Sequence, residues 1–237
     1  MVKKPYIKRL GKISAFQVWI VDGSYIRKNI YREFTNFGQH YRFPFIPTHE
    51  FWLDKEHAPN EKRYYIDHLL IEWHLMREGM SYDNAIGKAD EKEQHERLKN
   101  AFINKVEEEI DSLFNIVPSE IYVKKLVELA GLDVCIVNGE AVRDLYFIDF
   151  TEGGHHFVYD WVPLKEVWLD DDLNTSEREF VLLHELHERY LMAKGDDYNT
   201  AHRSSSLIEY TCRRDPKKLK KCLQDEIEKN ASLNTTG

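Results

Sequence analysis

The chain has 237 residues, of which 42% are hydrophobic and 13% aromatic, values typical of a folded protein with one large domain or two small ones. Its formal net charge of −8 argues against a nucleic-acid partner, because proteins of that class usually carry a basic excess. No apolar run approaches the roughly 18 residues that span a bilayer, so we predict no membrane partner.

The cysteine content and the start of the chain indicate a cellular compartment. Cys135, Cys212 and Cys222 have neither the even number nor the spacing of a disulfide framework or a zinc knuckle. Residues 1–10 are basic but lack the apolar core of a signal peptide. Both features favour a protein of the reducing cytoplasm.

An internal repeat organises the sequence. When residues 15–93 are placed on residues 131–209, 24 of 79 positions are identical without a gap. Average composition would give roughly 5 identities by chance. We therefore predict a tandem duplication, with a first repeat at residues 1–116 and a second at residues 117–237. Matched pairs include Trp52 with Trp168, His68 with His184, and Glu72 with Glu188.

Each repeat is predicted to be α+β, with a short antiparallel sheet followed by an active-site helix and further helices. In the second repeat, Ser119 and Gly131 are expected to bound a short helix over residues 119–130. The apolar run 134–137 is expected to be a strand that ends in a hairpin turn at Asn138-Gly139. Residues 145–150 and 156–161 are expected to form a second hairpin, and residues 166–169 a further strand.

The helices of the second repeat carry clearer boundary signals. Thr175 or Ser176 is expected to cap a helix over residues 177–194 that ends at Gly195. A shorter helix is expected over residues 199–210, and Asp215-Pro216 opens a last basic helix. An acidic helix is expected over residues 107–114, just before the second repeat.

The helix over residues 177–194 holds the residues with a candidate chemistry. Residues four apart lie on one helical face, so His184 and Glu188 can converge on one ion. His202, on the following helix, can supply a third ligand. Two histidines and one carboxylate with an open position suit a catalytic Zn²⁺ or another divalent metal. Glu185 is then placed to act as general base toward a metal-activated water.

The first repeat serves as an internal control. It keeps the counterparts of His184 and Glu188 but has aliphatic residues at three positions that are polar in the second repeat: Leu69 for Glu185, Ile71 for His187 and Ile86 for His202. Aliphatic residues there indicate that these positions face inward. Burying the polar residues without partners would cost roughly 1–3 kcal/mol each, which a metal ion or a wet cleft would offset. We therefore predict a metal site in the second repeat and a degenerate first repeat.

Other interpretations of the same residues remain open. A histidine and a glutamate four apart can be a simple pair on a helix, and its retention in the first repeat fits hydrogen bonding within the fold. His187 is three residues from His184, so we expect it to support the ligands or contact substrate. We assign the same supporting or substrate-binding role to His155 and to Glu209, which matches Glu93 of the first repeat.

The segment His184-Glu185-Leu186-His187-Glu188 resembles the H-E-x-x-H helix of zincin metallopeptidases. Over residues 165–210, with Ala201-His202 on the next helix, the order of elements is similar to that of the ImmA/IrrE-type peptidases, where a downstream acidic ligand completes the site. The resemblance implies that His184, Glu188 and His202 are the ligands and that Glu185 is the base.

This sequence departs from that family at two ligand positions. Glu188 stands where the family has histidine, and His202 stands where it has an acidic residue, so the total of two histidines and one carboxylate is kept. The whole repeat also resembles phage and bacterial proteins in which H-E-x-x-E is followed by A-H.

Three functional interpretations follow, in order of preference. The first is a zinc-dependent hydrolase that acts on a peptide or a small amide substrate. The second is a different metal enzyme, since two histidines and one carboxylate also describe non-haem iron sites. The third is a non-catalytic binding or regulatory protein with a structural or vestigial metal site.

Overall fold

The computed structural model describes residues 4–56, 61–99 and 119–233. The chain divides into two compact units. Unit 1 comprises Met1–Ile26, Phe34–Ile116 and Arg143–Ile148, and unit 2 comprises Arg27–Glu33, Val117–Val142 and Asp149–Gly237. The units follow the repeat boundary except at two short segments, 27–33 and 143–148, which occupy equivalent positions in the two repeats. Each of these segments belongs to the unit built mainly from the other repeat.

The first repeat contributes four strands and three α-helices among the described residues. The strands are β1 (Tyr6–Ile13), β2 (Phe16–Val21), β3 (Phe37–Gly38) and β4 (Glu50–Asp54). The helices are α1 (Gly23–Asn29), α2 (Lys62–Arg77) and α3 (Tyr82–Arg97). The sheet order is β1-β2-β4-β3, with β2 and β4 parallel and the other two pairs antiparallel.

Within the described ranges, the second repeat contains the same elements and one more helix. Its strands are β5 (Tyr122–Leu129), β6 (Leu132–Val137), β7 (Gly153–His155) and β8 (Glu166–Asp170), in the order β5-β6-β8-β7. Its helices are α4 (Gly139–Leu145), α5 (Thr175–Ala193), α6 (Tyr198–Arg214) and α7 (Leu219–Leu233), and short 3₁₀ turns lie at Ser119–Ile121 and Pro216–Lys218. The shared order and pairing confirm the predicted α+β class and the tandem duplication.

The strand pairing corrects two predictions. The sheet is mixed rather than antiparallel, because β6 pairs with β8 in parallel and the connection between them contains α4. The helix predicted over residues 119–130 is wrong, because Tyr122–Leu129 is a strand that pairs with β6 through a turn at Ala130-Gly131. Its lysine, leucine and glutamate residues favour helix weakly, and pairing with a buried neighbour outweighs that preference.

The predicted turn at Asn138-Gly139 is also wrong. The side-chain oxygen of Asn138 accepts a hydrogen bond from the Ala141 amide at 2.9 Å and so caps α4. Glycine is required at 139 by close approach, since a Cβ there would lie 2.0 Å from Asp170 Oδ2. An Asn-Gly pair therefore marks a helix start here, where sequence alone indicated a hairpin.

The second predicted hairpin does not form. Leu145 ends α4, residues 146–150 follow that helix, residues 156–161 form turns, and only Gly153–His155 is a strand. The amides of Val158 and Tyr159 both donate to the His155 carbonyl at 3.0 Å, which curls the chain directly after β7. The strand predicted at 166–169 is confirmed as β8.

The helix predictions are confirmed with small shifts. Asn174, rather than Thr175 or Ser176, caps α5 by accepting from the Ser176 amide, and Gly195 follows its end at a φ of 103°. Helix α6 runs four residues beyond the predicted end. The last helix begins with a 3₁₀ turn at Pro216, and the predicted acidic helix at 107–114 lies outside the described residues.

The core of unit 2 places α5 beneath the sheet. Val181, Leu182 and Leu186 pack against buried side chains of β6 and β8, such as Val134 and Leu169. Each such side chain contributes roughly 1.5–3 kcal/mol through burial. This packing fixes the rotation of α5 about its axis, so its polar face has a defined direction. No helix in the described parts of the chain is long and apolar enough to cross a membrane.

Candidate metal centre in unit 2

Three predicted ligands converge at the contact between α5 and α6. His202 Nδ1 lies 3.0 Å from Glu188 Oε2 and 3.2 Å from His184 Nε2. His184 Nε2 in turn lies 3.7 Å from the same Glu188 oxygen. Two imidazole nitrogens and one carboxylate oxygen therefore surround a common point. Histidine and carboxylate donors in this number are those that Zn²⁺ and related divalent cations take in proteins.

Each histidine has a carboxylate on the nitrogen that points away from this point. His184 Nδ1 lies 2.9 Å from Glu209 Oε2, and the other Glu209 oxygen accepts from Arg213 Nε at 2.6 Å. His202 Nε2 lies 3.5 Å from Glu33 Oε2. A carboxylate that accepts the outer N–H of a histidine fixes its tautomer and orients its ring toward a bound cation.

A second group of donors lies on the other side of Glu188. His155 Nε2 is 3.4 Å from Glu188 Oε1, and ligand atoms of His155, Glu185 and Glu188 all lie within 4.8 Å of one another. His155 is fully buried in β7, and its Nε2 has no hydrogen-bond partner among the described residues. A buried imidazole nitrogen left unpaired beside carboxylates fits a region that holds a cation or an ordered water.

Glu185 faces this second group from α5. Only 7% of the residue is exposed. Strand β7 lies close to it, since a Cβ added to Gly153 would lie 3.2 Å from Glu185 Cγ, so glycine makes room for the side chain. Burial and the negative charge of Glu188 raise the pKa of Glu185 to about 8. A carboxyl group with a pKa near neutrality is suited to accept and return a proton.

The remaining pKa values describe a cluster that holds protons when no cation is present. Hydrogen bonds to Glu188 and Glu33 raise the pKa of His202 to about 9. Burial opposes a charge on His184, yet its hydrogen bonds to Glu188 and Glu209 hold its pKa well above the usual value. Burial likewise opposes ionisation of Glu188, and contacts with three histidines hold its pKa well below the usual value.

His187 does not join these groups. Its Nε2 lies 2.9 Å from Ser204 Oγ and its Nδ1 lies 2.9 Å from Glu226 Oε1 of α7. The side chain thus links α5 to α6 and α7. The sequence analysis separated His187 from the ligands by its spacing of three, and these neighbours give no support for contact with substrate.

Two contributors to the site were missed in the sequence. Glu33 comes from the first repeat, within the segment that belongs to unit 2, and no local pattern marks it. Tyr198 stacks on His202, with ring centroids 5.2 Å apart and planes inclined by 28°. Tyr198 is one of the repeated positions, matched by Tyr82, and 45% of it is exposed.

Unit 1 contains the corresponding histidine and carboxylates without the additional donors. His68 Nδ1 lies 3.0 Å from Glu93 Oε2, and His68 Nε2 lies 3.5 Å from Glu72 Oε2. The other Glu72 oxygen accepts from the amide of Gln39, which stands where unit 2 has His155. Fully buried Leu69 packs in the unit 1 core at the position of Glu185.

Comparisons with known proteins add no candidate function. No family model, no curated protein and no solved structure matches this chain. A function must therefore be argued from the chemistry of the described side chains, and the cluster around Glu188 carries most of that chemistry.

Proposed function

We propose that unit 2 is a metal-dependent hydrolase of peptide or amide bonds. His184, Glu188 and His202 would bind Zn²⁺ or a similar divalent cation, and Glu185 would act as general base. The observation that carries the proposal is the convergence of His184 Nε2, His202 Nδ1 and Glu188 Oε2, with mutual distances of 3.0–3.7 Å. A carboxyl group of raised pKa beside this point supports catalysis over simple storage of an ion.

The residues around the proposed site would have separate roles in hydrolysis. A bound cation would supply Lewis-acid chemistry toward the substrate carbonyl, and its charge would lower the pKa of Glu185, which burial and Glu188 hold at about 8. The ionised Glu185 would then take a proton from the attacking water and return it to the leaving amine. Glu209 and Arg213 hold His184 in one tautomer. Tyr198 covers the partly exposed His202 ring and limits the access of solvent.

Strand β7 is last in the sheet order β5-β6-β8-β7 and carries His155 beside Glu188. All three of its residues are buried, the Gly153 amide donates to the Thr151 carbonyl, and the His155 carbonyl accepts from the Val158 and Tyr159 amides. The edge of the sheet therefore gives no preference between a peptide and a small amide as substrate.

Metal content and turnover together test the proposal. Protein purified without chelator is measured by elemental analysis and assayed on a mixed fluorogenic peptide library. We expect about one cation per chain in the wild type, loss of the metal in the His184→Ala/His202→Ala double variant, and retained metal without turnover in Glu185→Gln. His187→Ala is the control and should keep both. A metal-free wild type would refute the proposal, and metal loss in Glu185→Gln would make that residue a ligand instead of a base.

One observation favours a second candidate, a non-catalytic protein with a structural site. Unit 1 keeps His68, Glu72 and Glu93 in the same mutual contacts although it lacks the base and the third ligand. The shared part of the cluster therefore has a role in folding that needs no metal. A wild type that binds one cation, together with Glu185→Gln behaving like wild type in every assay, would support this candidate.

A further inference from the structure

We propose that Glu33, a residue of the first repeat, positions the ligand His202, so that the metal site of unit 2 is complete only when the first repeat supplies this carboxylate. The inference rests on the proposed metal site and assigns a role to a residue outside the second repeat. It also gives the first repeat a part in the function, beyond that of a degenerate copy.

The segment that carries Glu33 is anchored inside unit 2. Arg27, at the start of the segment, is 1% exposed. Its two terminal nitrogens lie 3.0 Å from Glu152 Oε1 and 3.2 Å from Glu177 Oε2. A buried guanidinium held by two carboxylates fixes the segment firmly, since breaking such a pair leaves a buried charge without a partner. The ion pairs of Arg27 therefore hold the segment that carries Glu33 near α6.

Glu33 faces α6 at the position of His202. Glu33 Oε2 lies 3.5 Å from His202 Nε2 and accepts from Ser206 Oγ at 3.2 Å. Ser206 is four residues after His202 and therefore on the same face of the helix. The other carboxylate oxygen of Glu33 accepts from Arg32 Nε at 2.9 Å. The carboxylate is thus oriented by Ser206 and Arg32 and has one oxygen directed toward the imidazole.

The two nitrogens of His202 have separate tasks in this geometry. Nδ1 is the nitrogen that faces His184 and Glu188, so it is the one that would bind the cation. A ligand nitrogen must be unprotonated, which places the ring proton on Nε2. Glu33 is the acceptor for that proton and thereby selects the required tautomer. Glu209 does the same for His184 with the nitrogens reversed, since there Nε2 is the ligand and Nδ1 faces the carboxylate.

Substitutions at position 33 in the full-length chain test this role. Glu33→Ala removes both charge and acceptor, Glu33→Gln keeps an acceptor oxygen, and Glu33→Asp keeps the charge on a shorter side chain. Glu179→Gln is the matched control, because it removes one negative charge from an exposed position of α5. For each variant, Zn²⁺ affinity is measured by competition with a chelator, and the melting temperature is measured with and without Zn²⁺.

We expect Glu33→Ala to weaken Zn²⁺ binding by about 10–100-fold, the range for carboxylates that support histidine ligands. Glu33→Gln should lose less, Glu33→Asp should recover part of the affinity, and Glu179→Gln should stay within about twofold of wild type. The metal-free melting temperature of Glu33→Gln should match wild type, whereas its increase on adding Zn²⁺ should shrink.

The outcomes separate this inference from the proposed function. A wild type without Zn²⁺ affinity refutes the metal site itself. A wild type that binds Zn²⁺ while Glu33→Ala and Glu33→Gln bind equally well refutes the positioning role alone. An equal drop in melting temperature with and without Zn²⁺ would assign Glu33 to fastening the segment, which also refutes it. If Glu33→Ala fails to fold, Glu33→Gln decides.

Discussion

Units 1 and 2 contain the same buried series of ion pairs, which ends at a histidine, and they differ in the residues around that histidine. In unit 1 the series runs from Arg143 through Glu61, Arg97 and Glu93 to His68. In unit 2 it runs through the equivalent residues, which are Arg27, Glu177, Arg213, Glu209 and His184. Ten side chains thus form two matching sets, and each set begins with an arginine from the segment that the other repeat supplies.

The difference lies beyond the histidine. Unit 2 adds His155, Glu185 and His202, whereas unit 1 has Gln39, Leu69 and Ile86. The common series of ion pairs therefore belongs to the fold, because it is present in both units. The fold of unit 1 forms without the three additional polar residues. These three residues are therefore the first candidates for a chemical function.

The largest expected effect comes from making unit 2 resemble unit 1 at a ligand. His202→Ile introduces the residue that unit 1 has at this position. We expect loss of the bound cation and of all hydrolysis, because one of three donors is removed and the remaining pair is the one that unit 1 retains. Elemental analysis and peptide hydrolysis measure the effect. Arg203→Ala, at an exposed neighbour, is the control, and full metal content in His202→Ile would contradict the ligand assignment.

The next effect tests the common series of ion pairs in both units. Glu61→Gln and Glu177→Gln each leave two buried arginines short of a carboxylate. Removing one partner of a buried pair costs about 3–5 kcal/mol, so both variants should lower the free energy of unfolding by a similar amount. Urea unfolding measures it. A large loss of unfolding free energy from one substitution and none from the other would show that the two series of ion pairs are not equivalent.

A smaller effect is expected from the reverse exchange. Ile86→His places an imidazole in unit 1 at the position of His202, beside His68 and Glu72. We expect a second cation per chain with weaker affinity, because unit 1 still lacks the other additional donors. Titration with Zn²⁺ under chelator competition detects it. The Ile86→Gln variant controls for a polar residue at the same site, and an unchanged stoichiometry would show that more than the ligand set is missing.

The smallest effect is a pH dependence of metal binding. Without a cation, the pKa of His202 is raised to about 9, so this ligand carries a proton at pH 7. A cation must displace that proton. Binding at pH 7 should release at least one proton, and affinity should increase as pH rises toward 9. Calorimetry in buffers of different ionisation enthalpy measures the release, and no release would contradict a protonated His202.

The sequence predicted the elements with strong local signals. The identities at a constant shift revealed both repeats, and the spacing of His184 and Glu188 placed them on one face of α5. The helix that carries His202 was predicted to follow Gly195. These features depend on helix periodicity and helix ends, which are properties of neighbouring residues.

Features fixed by tertiary contacts were missed. The strand Tyr122–Leu129 has helix-favouring residues and becomes a strand through its pairing with β6. Asn138-Gly139 has the pattern of a hairpin turn, but the Asn138 side chain caps α4 through the Ala141 amide and Asp170 packs against Gly139. The placement of Arg27–Glu33 in unit 2 has no local signal at all, so the role of Glu33 could be found only from the structure.

The most direct test of the account is X-ray absorption at the metal edge of the protein loaded with one equivalent of Zn²⁺. We predict scattering from two imidazole rings and from oxygen donors at about 2.0–2.2 Å. The signal of one ring should be lost in His202→Ile. Zinc surrounded by sulfur at about 2.3 Å, or by oxygen alone without imidazole, would contradict the central claim that His184, Glu188 and His202 form one metal site.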